Sequence, residues 1–210
     1  MNPSEEYKSL YKDMYSGGQE RAWRDAGAIC KAANIERAWA AAGTAMPRVV
    51  EIGCGEGAVA DRLAGLQFFS EYVGFDLSPS GVEEAKSRQI ADAHFELVTG
   101  SSLPAADDSA DVVILTHVVE HLEHPRELIA EARRIAPWLI VEVPLEMHSR
   151  TPHDYDWNPV GHINKFGPKA IRHLVQTCQF EVVTQFTTNP SRETAIFFDN
   201  SLKRRLSWRT

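Results

Sequence analysis

The chain has 210 residues, of which 43% are apolar, and a formal net charge of −7. This length suits one domain of ordinary size, and this apolar share excludes a disordered chain because it is enough to form a hydrophobic core. The acidic balance argues against sequence-independent binding of nucleic acid, which requires a basic surface.

Location and covalent cross-links are constrained by the same composition. No apolar run approaches the roughly 20 residues of a membrane span, and the first residues lack the basic and apolar regions of a signal peptide. We therefore expect a cytoplasmic protein with no membrane partner. The cysteines at 30, 54 and 178 are odd in number and far apart, so they match neither a disulfide framework nor a metal-ligand spacing.

Two helices are predicted before the first strand. Residues 4–16 carry apolar side chains at helical spacing, and residues 19–42 form a longer apolar stripe that Gly43 would end. We expect these helices to pack on the core, and Tyr15 is a candidate aromatic for covering a ligand there.

The next stretch joins a strand, a glycine turn and a helix. Residues 49–52 predict a short buried strand, Gly53, Gly55 and Gly57 follow at alternate positions, and residues 58–64 have helical periodicity. A strand, a glycine turn and a helix in this order are typical of the first part of a nucleotide-binding βαβ unit.

An acidic residue at the end of this strand distinguishes the pattern from a dinucleotide site. Glu51 begins E-x-G-x-G-x-G, whereas dinucleotide enzymes use G-x-G-x-x-G and place a pyrophosphate at the helix N-terminus. A carboxylate would repel a pyrophosphate and hold an ammonium group, which favours S-adenosylmethionine over NAD. The segment resembles motif I of the class I S-adenosylmethionine-dependent methyltransferases.

A second acidic strand end follows at a suitable distance. Residues 72–75 predict the second strand and Asp76 ends it, about 20 positions after the glycine turn, where a carboxylate can bind both ribose hydroxyls. Asp76 and Leu77 lie in VGFDLSPSGVEEA, which resembles the second motif of the family.

The third strand, predicted at residues 94–98, leads to the expected adenine contact. Relatives commonly have an aspartate where this chain has Ser101. The resemblance implies that the Ser101 hydroxyl replaces this aspartate in accepting the adenine amino group, while Ser102 supplies a backbone N–H.

The fourth strand, residues 111–116, is a near-continuous apolar run, typical of burial on both faces. It begins the run DVVILTHVVEHLEHP, which resembles a signature of the small-molecule methyltransferases related to ubiquinone biosynthesis. A helix over 126–135 and a fifth strand over 137–144 are predicted next.

The last part of the chain is predicted to complete the sheet. Residues 145–166 form a long polar loop, residues 168–178 a helix, and residues 180–184 and 194–198 two strands. In relatives these last strands form an antiparallel hairpin.

The resemblance implies an α/β, Rossmann-like, seven-stranded, mostly parallel sheet with this C-terminal hairpin and N-terminal covering helices. We expect one methyltransferase domain over 1–210, with the N-terminal helices in 1–44 and the cofactor-binding core in 48–200.

The resemblance also implies a set of functional residues. Those expected to hold S-adenosyl-L-methionine are Glu51, Gly53, Gly55, Gly57, Asp76, Leu77, Ser101, Ser102 and Thr116. The acceptor is expected to be a small metabolite methylated at O or N.

Histidines are the natural candidates for a general base, because their pKa lies near working pH. His117 follows the fourth strand, and His153 and His162 lie in the long loop. We predict His117 and His162 as catalytic.

Three alternatives remain open. His117, Glu120 and His121 would share a helix face that His162 could meet, which suits a divalent metal and resembles the Hen1 family of RNA 3′-end 2′-O-methyltransferases. The net acidity argues against RNA, and no residue is assigned to a metal. The others are an NAD-dependent oxidoreductase and a non-catalytic protein that retains the cofactor pocket.

Overall fold

The structure is a computed structural model. It describes residues 15, 21–42, 46–100, 102–146 and 161–189.

A parallel β-sheet forms the centre of the fold. Its spatial order is β3-β2-β1-β4-β5, and every neighbouring pair is parallel. The strands are β1 (Arg48–Ile52), β2 (Glu71–Asp76), β3 (Ala93–Leu97), β4 (Val112–Thr116) and β5 (Trp138–Glu142).

Helices cover both faces of the sheet. Apolar residues of the first three helices pack on one face and those of the last two on the other. The helices are α1 (Arg21–Trp39), α2 (Ala58–Gly65), α3 (Pro79–Ser87), α4 (Pro125–Ile135) and α5 (Pro168–Thr177). All five residues of β4 are buried, as expected for a central strand covered on both sides. In the part of the chain that the structure describes, no helix is both long and apolar enough to cross a membrane.

The strand order reverses at the middle of the sheet. From β1 the chain proceeds outward through β2 and β3, and it then returns to place β4 on the other side of β1. In open parallel sheets, ligands bind outside the carboxyl ends of the strands at such a reversal. The site is therefore expected above the ends of β1 and β4.

A buried group of charges attaches α1 to the core. The Arg88 guanidinium, 4% exposed, lies 3.1 Å from the Glu56 carboxylate and 2.8 Å from Asp25 on α1. Arg24 of α1 reaches the other oxygen of Glu56 at 2.8 Å. Because Glu56 is 3% exposed, these cations offset the cost of burying its charge.

The predicted sheet was wrong in strand number and direction. The described residues form five strands, all parallel, instead of seven with a C-terminal antiparallel hairpin. Residues 180–184 include an aromatic and three β-branched residues, but they form no strand and are mostly exposed, with Val183 58% exposed. Strand propensity alone does not create a strand, because the ladder requires a paired neighbour. The second predicted strand, 194–198, lies outside the described residues, as does the helix predicted over 4–16.

The expected helix face of His117, Glu120 and His121 was also wrong. Val119–His121 forms a single 3₁₀ turn, and α4 begins only at Pro125. The 3₁₀ turn and the unusual backbone of His117, rather than an α-helix, bring these side chains together.

We predict that Arg88→Met destabilises the fold by about 2–3 kcal/mol, because it removes a buried partner of the Glu56 carboxylate. Urea denaturation followed by circular dichroism measures this loss. Arg62→Met, at an exposed position on α2, is the matched control and should change stability by less than about 0.5 kcal/mol. Equal effects of the two substitutions would contradict the structural role of Arg88.

Candidate active site

The glycine loop folds back onto the end of β2. The N–H groups of Gly53 and Cys54 donate to the Phe75 carbonyl at 2.7 and 3.1 Å. The Gly55 N–H donates to the Asp76 carboxylate at 2.7 Å. The loop is therefore fixed by the neighbouring strand as well as by its own chain.

Two glycines of this loop occupy positions where a side chain would collide with its neighbours. Gly53 and Gly55 have φ angles of +80° and +52°, which L side chains rarely adopt. A Cβ at Gly53 would lie 2.5 Å from Val118 Cγ2, and one at Gly55 would lie 2.6 Å from the Tyr15 hydroxyl. Val118 and Tyr15 therefore lie directly against the glycine backbone, and all four residues line one cleft.

Gly57 has a different place from the other two glycines. It precedes α2, and a Cβ there would meet Ala85 of α3 at 3.1 Å. Gly53 and Gly55 line the cleft above the sheet, whereas Gly57 lies outside its lining. Its position therefore indicates close packing of the two helices.

Asp76 connects the glycine loop to α3. One carboxylate oxygen accepts from Gly55 N–H and the other from Ser78 N–H at 2.8 Å. Burial raises the pKa of Asp76, although the backbone donors oppose that rise. Each carboxylate oxygen has two lone pairs, so Asp76 retains acceptor capacity on the side that lines the cleft.

The predicted adenine end is only partly described. Leu77, 48% exposed, lines the cleft together with Val98, Thr99 and Gly100. Ser102 is exposed and outside this lining. Ser101 lies outside the described residues, so its predicted adenine contact stays a prediction.

Glu51 is buried beneath the cleft instead of projecting into it. It is 1% exposed, and its carboxylate accepts from the Tyr72 hydroxyl and, at 3.3 Å, from the Thr116 hydroxyl. Burial raises its pKa to about 7, while the hydrogen bonds and the nearby Lys31 ammonium oppose the rise. The Glu51 carboxylate is therefore held by two hydroxyls from neighbouring strands.

Helix α1 contributes polar groups that the sequence analysis missed. Lys31 lines the cleft, and burial lowers its pKa although Glu142, Glu51 and Glu120 oppose this. Asn34 donates to the Glu142 carboxylate at 2.7 Å. Glu142 could have been found from sequence, because it ends a parallel strand; Lys31 and Asn34 carry no such signal.

His117 lies between two carboxylates at the end of β4. Its Nδ1 is 3.4 Å from Glu120 Oε1 and its Nε2 is 3.3 Å from Glu142 Oε1. Its φ of +57° is rare for a non-glycine residue, and such strained positions cluster at functional sites. Burial lowers the pKa of His117, but the two carboxylates outweigh burial and the net pKa is raised. Its ring is 38% exposed, so it remains accessible from the cleft.

His162 approaches the same edge from the other side. Its Nδ1 lies 2.9 Å from the Glu146 carboxylate, and its ring meets the His121 ring edge-on at 4.8 Å between centroids. Both predicted catalytic histidines, His117 and His162, thus line one cleft. The third candidate, His153, lies outside the described residues.

One cleft thus contains the glycine loop after β1, the buried Glu51 carboxylate and the two histidines His117 and His162. The predicted residues that line it are Glu51, Gly53, Gly55, Asp76, Leu77, Thr116, His117 and His162.

A family model described as "Methyltransferase domain" matches residues 21–185, which is most of the chain. The chain therefore belongs to the methyltransferase-domain family. Its predicted resemblance to class I S-adenosylmethionine-dependent methyltransferases is confirmed, and S-adenosylmethionine is the cofactor of that class.

Individual relatives agree with this family. A protein of Mycolicibacterium smegmatis (strain ATCC 700084 / mc(2)155), named as a probable S-adenosylmethionine-dependent methyltransferase, is 29% identical over 139 residues, covering 64% of this chain and 52% of that protein. The mitochondrial ubiquinone biosynthesis O-methyltransferase of Candida albicans is 31% identical over 88 residues, covering 40% of this chain and 27% of that protein. This chain thus spans about half or less of the length of these relatives.

The fold also matches a solved structure. A S-adenosylmethionine-dependent methyltransferase from Thermotoga maritima superposes with a TM-score of 0.61 at 18% identity, covering 82% of this chain and 80% of that one. This likeness confirms the Rossmann-like α/β class.

We predict that Glu51→Gln makes the ligand-free protein less sensitive to alkaline pH. A folded-state pKa of about 7 lies above the ordinary value of 4.5, so this group's contribution to stability is fully present below pH 4.5 and is lost as pH rises through 7. Between pH 5 and 8 the native protein should therefore lose about 2 kcal/mol relative to Glu51→Gln, which mimics the neutral acid.

Urea denaturation of both proteins at several pH values measures this difference, since other titrating groups cancel in the comparison. A constant difference across that range would contradict the account of Glu51.

Proposed function

We propose that this protein transfers a methyl group from S-adenosylmethionine to an oxygen or nitrogen of a small metabolite. The observation that carries the proposal is the glycine loop bonded to Asp76 at the strand-order reversal, which lines the same cleft as His117.

The described residues fit the adenosine and methionyl parts of this cofactor. Gly53 and Gly55 line the cleft with backbone that carries no side chain, and Asp76 presents a buried acceptor beside it. Asp76 is thus suited to accept from the ribose hydroxyls, and Leu77 offers apolar surface to the adenine ring.

The charge of the cleft also suits a cation. Glu51, Glu142 and Asp76 line it, and Lys31 of α1 lies near Glu142 and Glu51. Arg24 of α1 also lines the cleft, but its guanidinium is paired with Glu56 at 2.8 Å. Carboxylates near the ends of three strands create a negative electrostatic potential in the cleft. The low dielectric constant of the surrounding protein strengthens their attraction for a cation. A ligand with both an ammonium and a sulfonium group gains from that potential, whereas a pyrophosphate does not.

The protein's task in this reaction is orientation and removal of a proton. When bound, the cofactor supplies an electrophilic methyl group on a positively charged sulfur. His117 lies at the same edge, with its ring held from both sides by Glu120 and Glu142. We assign His117 to bind the acceptor hydroxyl or amine and to take its proton, and His162 to the opposite wall of the acceptor pocket.

The class of acceptor is inferred from a named relative, from the polar groups that line the cleft and from the net charge. The Candida albicans relative is named an O-methyltransferase, which favours an oxygen acceptor here. The polar groups of α1, Lys31 and Asn34, line the cleft close to Glu142 and would select among acceptors. The negative net charge of −7 supports a small molecule over nucleic acid.

We predict that His117→Asn lowers kcat for methyl transfer by about 10²- to 10⁴-fold, the usual contribution of a general base. Asparagine tolerates the left-handed backbone at this position, so the fold should persist. The measurement is transfer of a radiolabelled methyl group to a panel of small phenols, aliphatic alcohols, carboxylic acids and amines.

The matched control is His94→Asn, because His94 is an exposed residue on β3 that lies 3.0 Å from Glu96 and outside the lining of the cleft. This control should retain native activity. Absence of methyl transfer to every compound, with intact cofactor binding, would favour the non-catalytic binding protein. Equal losses in the two variants would contradict the role of His117.

A further inference from the structure

Among the residues that the structure describes, a buried carboxylate beside the cleft has no hydrogen-bond partner. Glu120 is 0% exposed, and within the described ranges neither carboxylate oxygen accepts a hydrogen bond. Its nearest cation-forming group is His117 Nδ1, at 3.4 Å from Oε1 and outside hydrogen-bond geometry. Burying an ionised carboxylate costs several kcal/mol unless a cation and further ligands satisfy it.

Two imidazoles converge on this carboxylate. One ligand atom from each of Glu120, His121 and His162 can be chosen so that all three lie within 4.8 Å of one another. His121 Nε2 is 4.0 Å from Glu120 Oε1, and the two histidine rings are in edge contact.

The outer nitrogen of each ring is already held by the protein. His162 Nδ1 lies 2.9 Å from Glu146 Oε2, and His121 Nδ1 lies 3.1 Å from the Gly161 carbonyl. Both acceptors require a proton on Nδ1, which assigns Nε2 as the ligand nitrogen of each ring. Histidine ligands of metals characteristically donate their other N–H to a carboxylate or a carbonyl in this way.

Backbone hydrogen bonds fix the segment that carries His162. The N–H groups of Ile163 and Asn164 both donate to the Glu120 carbonyl at 2.9 Å. The Asn164 side chain donates to the carbonyl of Leu122 at 2.6 Å. The 3₁₀ turn and the segment from Gly161 therefore form one pre-organised unit, which keeps the three groups together before any ligand binds.

We propose that Glu120, His121 and His162 bind a divalent transition-metal ion such as Zn²⁺, Mn²⁺ or Co²⁺. Two imidazoles and one carboxylate suit these ions, whereas Mg²⁺ and Ca²⁺ prefer oxygen ligands. In a tetrahedral site, ligand atoms at about 2.1 Å from the ion lie about 3.4 Å apart, so the 4.8 Å spread must shrink by roughly 1.4 Å on binding. Three protein ligands leave coordination positions open toward the cleft.

His117 alone does not account for this arrangement. An ion pair with His117 would engage only Oε1 of Glu120, and His117 also faces Glu142 at 3.3 Å. It would give no reason for His121 and His162 to be held by their Nδ1 atoms beside a buried carboxylate. A metal satisfies Glu120 and uses both histidines.

The inference is separable from the proposed function, because metal binding requires neither cofactor nor acceptor. It is tested on the full-length protein after dialysis against EDTA and removal of the chelator. Co²⁺ binding is followed by visible absorption and Zn²⁺ and Mn²⁺ binding by calorimetry. We expect one ion per chain and an upward shift of the thermal midpoint with added metal.

The variants identify the ligands. His162→Ala and Glu120→Gln should each lower metal affinity at least about tenfold, and Glu146→Gln, which removes the acceptor of His162 Nδ1, should lower it about 10- to 100-fold. His94→Ala removes an exposed histidine on β3 and should leave the affinity within about twofold of native. Glu120→Gln removes a buried charge, so its metal-free thermal midpoint should not fall, which separates lost binding from unfolding.

Two results would overturn the proposal. One is an EDTA-treated native protein that binds none of the three ions. The other is binding that His94→Ala weakens as much as His162→Ala, since this would locate the metal on surface histidines.

Discussion

The site depends on one hydrogen bond between neighbouring strands, from the Gly55 N–H to the Asp76 carboxylate at 2.7 Å. It ties the turn after β1 to the end of β2, and the second oxygen of Asp76 ties the same point to the start of α3 through Ser78. The position of the glycine backbone is therefore set by β2 as well as by β1. The proposed nucleoside site thus depends on two strands and one side chain.

Charge distribution governs the other end of the cleft. Carboxylates end β1 and β5, and Glu120 follows β4, so a buried edge that would otherwise be apolar carries several acids. Three features reduce the repulsion among these acids. The pKa of Glu51 is raised to about 7, Lys31 of α1 lies nearby, and His117 lies between Glu120 and Glu142. An edge of this composition favours cationic ligands.

Local patterns predicted residues that the structure brings together in one cleft, although their part in cofactor binding stays a prediction. The glycine turn and Asp76 follow from short-range rules about strand ends, and their lining of one cleft agrees with the structure. Sequence analysis correctly located Glu51 near the end of the first strand. Its burial depends on the Tyr72 and Thr116 hydroxyls, which come from two other strands. A pattern within the first strand cannot predict hydrogen-bond partners that lie on other strands.

Non-local contacts explain the remaining differences. Lys31 and Asn34 belong to a helix far from β5 in sequence, so their approach to Glu142 has no periodic signal. The 180–184 segment has strand-like composition without a paired neighbour among the described residues, which is why the predicted hairpin was wrong. The histidine cluster was predicted on an α-helix, yet a 3₁₀ turn and a left-handed residue assemble it.

The measurement that tests the account most directly is calorimetric titration of Asp76→Asn with S-adenosylhomocysteine. Loss of the charged acceptor should weaken binding by about 1.5–3 kcal/mol, which is roughly tenfold or more. Asp92→Asn is the matched control, because Asp92 is exposed and has a left-handed backbone that asparagine accepts. Affinity that is unchanged in a folded Asp76→Asn protein would contradict the account, because the nucleoside would then bind elsewhere.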